Sequence, residues 1–204
     1  MRKARREAAK RLYEIAEGQQ GFFTTKQAKA AGFAENTHPY HVQAGNWIRE
    51  HRGIYRLASF PRGERPDLTL WSLWSRNRGE SVQGVYSHQT ALSLHDLSDV
   101  MPAKLHMIVP TSFRRNSEIP RVLVLHLADL PKSDIGVAHG VRVTRPMRTI
   151  LDVLAAGEVP LAVLRQALLE GLRRGLICRS EITEARKHLA RSKRLRSLFQ
   201  KVAA

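Results

Sequence analysis

The sequence predicts an α+β protein in two parts: a small helical domain closed by a β-hairpin, then a mixed α/β domain that ends in helices. Three observations carry this. Apolar residues recur every three or four positions through the first helix-like segment, and "WIREHRGIYRL" (47–57) then alternates apolar with polar on either side of Gly53. Past a break at "SFPRGERPD" (59–67), short β-rich runs mix with helical ones before the chain becomes wholly helical.

The first segment places Ala8, Leu12, Ile15 and Ala16 on one stripe of a helix that ends near Gly18, with Arg and Lys outside. In "GFFTTKQAKAAG", Thr24 followed three residues later by Gln27 is a capping box, and Gly32 suits the position just past a short second helix. A third short helix follows in "FAENTHPYHVQAGN", with Asn36 as N-cap, Pro39 in the first turn and Gly45 at the exit. The hairpin comes next. Helix, helix, turn, helix, hairpin is the order of a winged helix-turn-helix, so residues 1–60 are expected to form that domain and residues 61–204 the second.

In the second part, helices are expected at "DLTLWSLWSRN", capped by Asp67, and at "SHQTALSLHDL", capped by Ser87. "KLHMIVP", "RVLVLHLA" and "GVRVTRP" read as strands. "RPMRTILDVLAA" opens a helix on Pro146, "VPLAVLRQALLEGLRRGL" forms another with Leu161, Leu164, Leu168 and Leu172 on one face, and Ser180 caps a basic third. That last stretch sets Arg186, Lys187, Arg191, Lys193, Arg194, Arg196 and Lys201 against Ile182, Leu189, Leu195, Leu198, Phe199 and Val202. Such a helix binds a polyanion, an acidic protein or a membrane surface, or docks through its apolar side and leaves its charges in water.

Charge narrows the class of partner. The 204 residues carry 34 Lys and Arg against 18 Asp and Glu, a formal charge of +16 that favours polyanions such as nucleic acid. Residues 1–60 hold 11 basic against 5 acidic side chains, residues 61–158 hold 12 against 10, and residues 159–204 hold 11 against 3. The single cysteine, Cys178, excludes an internal disulfide framework and a cysteine-pair zinc site. A charged N-terminal stretch without an apolar core, and no apolar run of roughly 18 residues, point to the cytoplasm and away from membranes.

A DNA reader needs a helix that fits the major groove, polar side chains that reach base edges, and flanking cations for the phosphates. The third helix offers Thr37, His38, Tyr40, His41 and Gln43. Arg49, His51 and Arg52 at the hairpin tip are placed for phosphates or a minor groove, and Lys26 and Gln27 at the start of the second helix for the backbone. An exposed hairpin tip is polar in any protein, so the order of elements carries the argument more than the arginines do.

Catalysis finds little support. The chain has no His-Glu-x-x-His, P-loop, Gly-x-Gly-x-x-Gly or Gly-x-Ser-x-Gly motif, and no Asp or Glu is followed two residues later by Lys as in many metal-dependent nucleases. His88 and His95 lie seven apart on one expected helix with no carboxylate to complete a metal set. No metal, cofactor or catalytic residue is expected.

With those residues laid out, the chain resembles the AbiEi-family antitoxins of bacterial abortive-infection systems. The resemblance rests on "REHRGIYRL", "SHQTALSLHDLSDVMPAKLHMIVP" and "VTRPMRTILDVLA", in that order, over residues 20–155. It implies a winged helix that binds inverted repeats of double-stranded DNA in its own promoter, and a second domain that antagonises a nucleotidyltransferase toxin, directly or indirectly. By position, Arg49, Arg52 and Gly53 match the DNA-binding hairpin, and His88, Leu94, His95, Arg148, Thr149 and Asp152 match the motifs of the second domain. Arg148 and Asp152, one helical turn apart, also suit an ion pair, and Thr149 a bond to its own backbone. A stand-alone winged-helix regulator with a dimerising or ligand-sensing second domain is the competing reading, and a nucleic-acid-modifying enzyme a third.

Overall fold

The computed structural model describes residues 2–116, 118–189 and 192–203, and its chain packs as two compact units, residues 1–82 and 83–204. Arg191 lies outside the described residues. The fold is α+β, with a winged helix-turn-helix first and a mixed domain ending in helices second.

The first unit contains α1 (Arg2–Glu17), β1 (Phe22–Thr24), α2 (Thr25–Ala31), a 3-10 turn (Glu35–Thr37), α3 (His38–Gln43), β2 (Trp47–His51), β3 (Ile54–Leu57) and α4 (Pro66–Trp74). Its antiparallel sheet has the order β1-β3-β2. The stripe of α1 buries Ala8, Leu12 and Ala16, and Leu12 and Ala16 pack with Phe23, Ala28, Ala31 and Trp47. The capping box forms as expected, with Thr24 Oγ1 accepting from the Gln27 N–H at 3.2 Å and the Gln27 side chain accepting from the Thr24 N–H at 2.8 Å. Gly32 ends α2 in the left-handed region, where it donates back to α2 carbonyls. The Arg11 guanidinium closes the same end, donating to the Ala31 carbonyl at 3.0 and 3.1 Å.

Three local details differ from the sequence-based expectation. Strand β1 occupies the residues before the cap, pairing Phe22 with Arg56 and Thr24 with Ile54. The third helix begins through a 3-10 turn, so Thr37 rather than Asn36 stands at its N-cap. Helix α4 starts at Pro66 with Asp67 inside its first turn rather than at the cap. Helix α4 packs on β1 and β3, and the first unit continues through it to Val82.

The second unit contains β4 (Val85–Tyr86), α5 (His88–Leu94), β5 (Leu105–Val109), β6 (Leu123–Leu127), β7 (Ile135–Ala138), β8 (Val141–Thr144), α6 (Pro146–Ala156), α7 (Leu161–Arg173), α8 (Arg179–His188) and α9 (Lys193–Val202). Its mixed sheet runs β6-β5-β4-β8-β7, with β6 parallel to β5 and β4 parallel to β8. Every residue of β5 is buried, which accounts for the unbroken apolar run "MIV". Strands β4 and β7 come in addition to the three that the sequence predicts.

The helices share one core, in which Leu92, Ile150, Leu154, Leu164, Leu168 and Phe199 are each at most 2% exposed. Gly171 lets α7 meet the following turn, because a Cβ there would stand 2.6 Å from Ile177 Cδ1. The expected single basic helix is two helices. Cys178, not Ser180, caps α8, with the Glu181 carboxylate accepting from the Cys178 N–H at 2.8 Å. Ser192 caps α9, whose Phe199 and Val202 are buried in the core. The tail thus docks through its apolar side and keeps Lys193, Arg194, Arg196 and Lys201 on the outside of α9 or at its margin.

Candidate nucleic-acid interface

Burial separates the side chains of α3 into two groups. His38 and His41, three positions apart, lie on the inward face and are 2% and 8% exposed. The His41 ring stacks on Trp47 at a centroid distance of 4.5 Å, and His38 meets Trp47 and Tyr55 edge-on while its Nε2 lies 3.3 Å from the Phe33 carbonyl. Burial, with Arg5 and His38 nearby, holds the His41 imidazole below its ordinary pKa. These two histidines are core residues rather than base readers. Thr37, half-buried, donates its hydroxyl to the Ala34 carbonyl at 2.6 Å and so closes the 3-10 turn.

Tyr40 and Gln43 point the other way. Tyr40 is 58% exposed, and Asn36, Pro39 and Gln43 are exposed with it. This is the face on which polar and aromatic groups can meet base edges.

At the hairpin, a bulge between Arg49 and His51 lets Arg49 pair with Tyr55 and His51 with Ile54. The bulge residue, Glu50, accepts from Arg56 Nε at 2.8 Å, and Arg56 is itself buried. His51 is half-buried and meets Trp71 edge-on at 5.5 Å. Of the hairpin's basic side chains, Arg49 and Arg52 are therefore the exposed ones, Arg49 on β2 and Arg52 in the turn beside Gly53.

The start of α2 is already occupied. Lys26 is exposed but donates to the Arg78 carbonyl at 2.6 Å, and Thr24 Oγ1 donates to Glu80 at 2.7 Å. Gln27 is committed to the capping box and to the Gln19 side-chain amide. The Arg76 guanidinium bonds both Gln19 and Glu80, so the loop at 76–80 covers this helix end.

Of the six second-domain residues, His95 and Thr149 build a joint between β8 and α6. His95 Nε2 donates to the Thr144 carbonyl at 2.7 Å, and the Thr149 hydroxyl lies 3.0 Å from the Thr144 and Arg145 carbonyls and 2.7 Å from the Thr144 hydroxyl. Arg148 pairs with Asp152 and with Asp134, each at 2.8 Å. Burial raises the Asp152 carboxyl above its ordinary value despite the guanidinium beside it. Leu94 is core, and His88 stands at the N-terminus of α5.

Comparison with known proteins bears on the first unit. Residues 10–58 match the AbiEi antitoxin family of transcriptional regulators. The AbiEi match spans α1 from its middle to the end of β3, and so includes α2, α3 and the hairpin. The other two stretches that carry the AbiEi resemblance, 87–110 and 143–155, lie beyond the match. A solved structure, the RV2827C protein from Mycobacterium tuberculosis, is similar at 13% identity and a TM-score of 0.48, over 95% of this chain and 81% of that one. No curated protein matches the chain. Among the described residues, no helix is long and apolar enough to cross a membrane.

Proposed function

We propose that the chain is a non-enzymatic, cytoplasmic DNA-binding antitoxin that represses its own operon and neutralises a nucleotidyltransferase toxin. The observation that supports DNA binding best is the outward group of Tyr40 and Gln43 on α3 with Arg49 and Arg52 on the hairpin, inside the segment that matches the AbiEi regulators. In this reading α3 lies in a major groove, Tyr40 and Gln43 read bases, and the two arginines hold phosphates or an adjacent minor groove. An inverted-repeat operator requires two copies of the chain at neighbouring half-sites. His88, Leu94, His95, Arg148, Thr149 and Asp152 serve the second domain by shaping it rather than by chemistry.

Co-expression of the adjacent open reading frame with and without this chain, scored by host growth, tests the antitoxin half. Rescue from arrest supports it, and a harmless neighbour removes it. The stand-alone regulator is the second reading, favoured by the ending of the family match at residue 58.

A further inference from the structure

Three imidazoles meet on one side of the second domain's sheet. In the parallel pair of β5 and β6, His106 is in register with Val124 and Ile108 with His126, so the two histidines are diagonal neighbours on one face. His106 Nδ1 lies 3.1 Å from His126 Nε2. His88, at the first position of α5, lays its ring on that of His126 at 3.7 Å between centroids and 12° between planes. One nitrogen from each of the three falls within 4.8 Å of the others, and among the described residues this is the one such grouping of ligand side chains.

Hydroxyls from α5 and its N-cap meet this cluster. Thr90 Oγ1, from α5, accepts from the His106 backbone N–H at 2.8 Å, and His88 Nδ1 is 2.9 Å from Ser87 Oγ. A bond at Nδ1 leaves Nε2 of His88 as its ligand atom. His88 has φ of 52°, a left-handed backbone that a non-glycine residue adopts at a cost and that gathers at functional positions. Burial lowers the pKa of all three imidazoles, with His126, His106 and Arg148 adding to it at His88. Neutral imidazole is the form that ligates a metal ion. The Glu158 carboxylate acts on both His106 and His126, and its field favours a cation beside them.

We propose that His88, His106 and His126 bind one divalent ion of the zinc class, with water completing the tetrahedron. The edge of such a tetrahedron, for Zn–N of about 2.0–2.1 Å, is about 3.3–3.4 Å, close to the His106 to His126 separation. His88 reaches the same ion by turning out of its stack on His126. The ion would join α5 to β5 and β6, three successive elements of the chain.

The test uses the full chain, free of any affinity tag and stripped with a chelator, titrated with Co²⁺ and then Zn²⁺. The expected result is one Co²⁺ per chain with the intense visible absorption of tetrahedral cobalt, displaced by Zn²⁺. His126→Gln lowers the affinity at least ~100-fold, the upper end of what losing a mere outer partner costs, and His188→Gln, on the exposed side of α8, changes nothing. X-ray absorption at the zinc edge of the unmutated protein then counts three imidazoles and needs no variant to fold. Failure of the folded chain to take up one equivalent, undiminished affinity in His126→Gln, or one imidazole or none at zinc overturns the assignment.

Discussion

Arg56 Nε donates to the Glu50 carboxylate over 2.8 Å inside the hairpin, and the pair is 6% and 20% exposed. The hairpin's cations therefore fall into two groups, with Arg56 holding the bulged strand while Arg49 and Arg52 face water. Arg49→Ala with Arg52→Ala should weaken binding to all DNA sequences alike and flatten the slope of log K against log salt by about 2, near 0.9 for each phosphate no longer neutralised. The fold should melt as before. Arg56→Ala should instead destabilise the protein by roughly 3 kcal/mol, because it leaves a half-buried carboxylate unpaired. Anisotropy titrations and denaturant unfolding on the same variants separate the two effects.

Helix α3 makes a parallel division. Gln43→Ala or Tyr40→Ala should change preference between sites by about 1–3 kcal/mol for each base that the side chain reads, measured by competition between operator variants. His41→Ala removes a ring stacked on Trp47 and should lower the melting temperature, with any loss of DNA binding following the loss of fold.

Thr149 bridges the end of β8 and the first turn of α6 through one hydroxyl. Thr149→Val keeps the shape and removes the donor, so it should cost about 1–3 kcal/mol in equilibrium unfolding. Thr149→Ser should restore most of that. A valine variant as stable as the parent would contradict the joint.

Buried histidines set the direction of pH dependence. Burial is the leading cause that lowers His41 and His95 below the ordinary imidazole value of 6.5. The unfolded chain therefore takes up protons near pH 6.5 before the folded one does. Stability is fully present above that pH and falls as the solution is acidified through it toward the folded-state values. Melting temperature should drop between pH 7.5 and pH 5, by roughly 2–4 °C for each kcal/mol lost in a chain of this size. His95→Gln, which can still donate to the Thr144 carbonyl, should make the drop shallower.

Elements with a strong local signal were legible in the sequence, and those defined by distant pairing were not. The Thr24 and Gln27 box, the Gly53 turn and the amphipathic stripe of α1 each lie within a few residues of one another, and each formed as expected. Strand β4 has only two residues, and β7 is an edge strand with Gly136 inside it and Val137 76% exposed, so neither shows a period. The candidate interface was half legible. Tyr40, Gln43, Arg49 and Arg52 sit on the surface, whereas His38 and His41 share their polarity but not their face, since a spacing of three puts both histidines on the inward side. The fate of Lys26 depended on a loop some 50 residues away, and that of His88 on the register of β5 against β6.

Binding of the full chain to the DNA upstream of its own reading frame, followed from 50 to 200 mM salt, tests the central claim most directly. A complex that neutralises some 6–10 phosphates should lose about 10³–10⁵ in affinity over that range and should prefer the upstream sequence to scrambled DNA throughout. Affinity that ignores salt, or equal binding to both DNAs at every salt concentration, would contradict it.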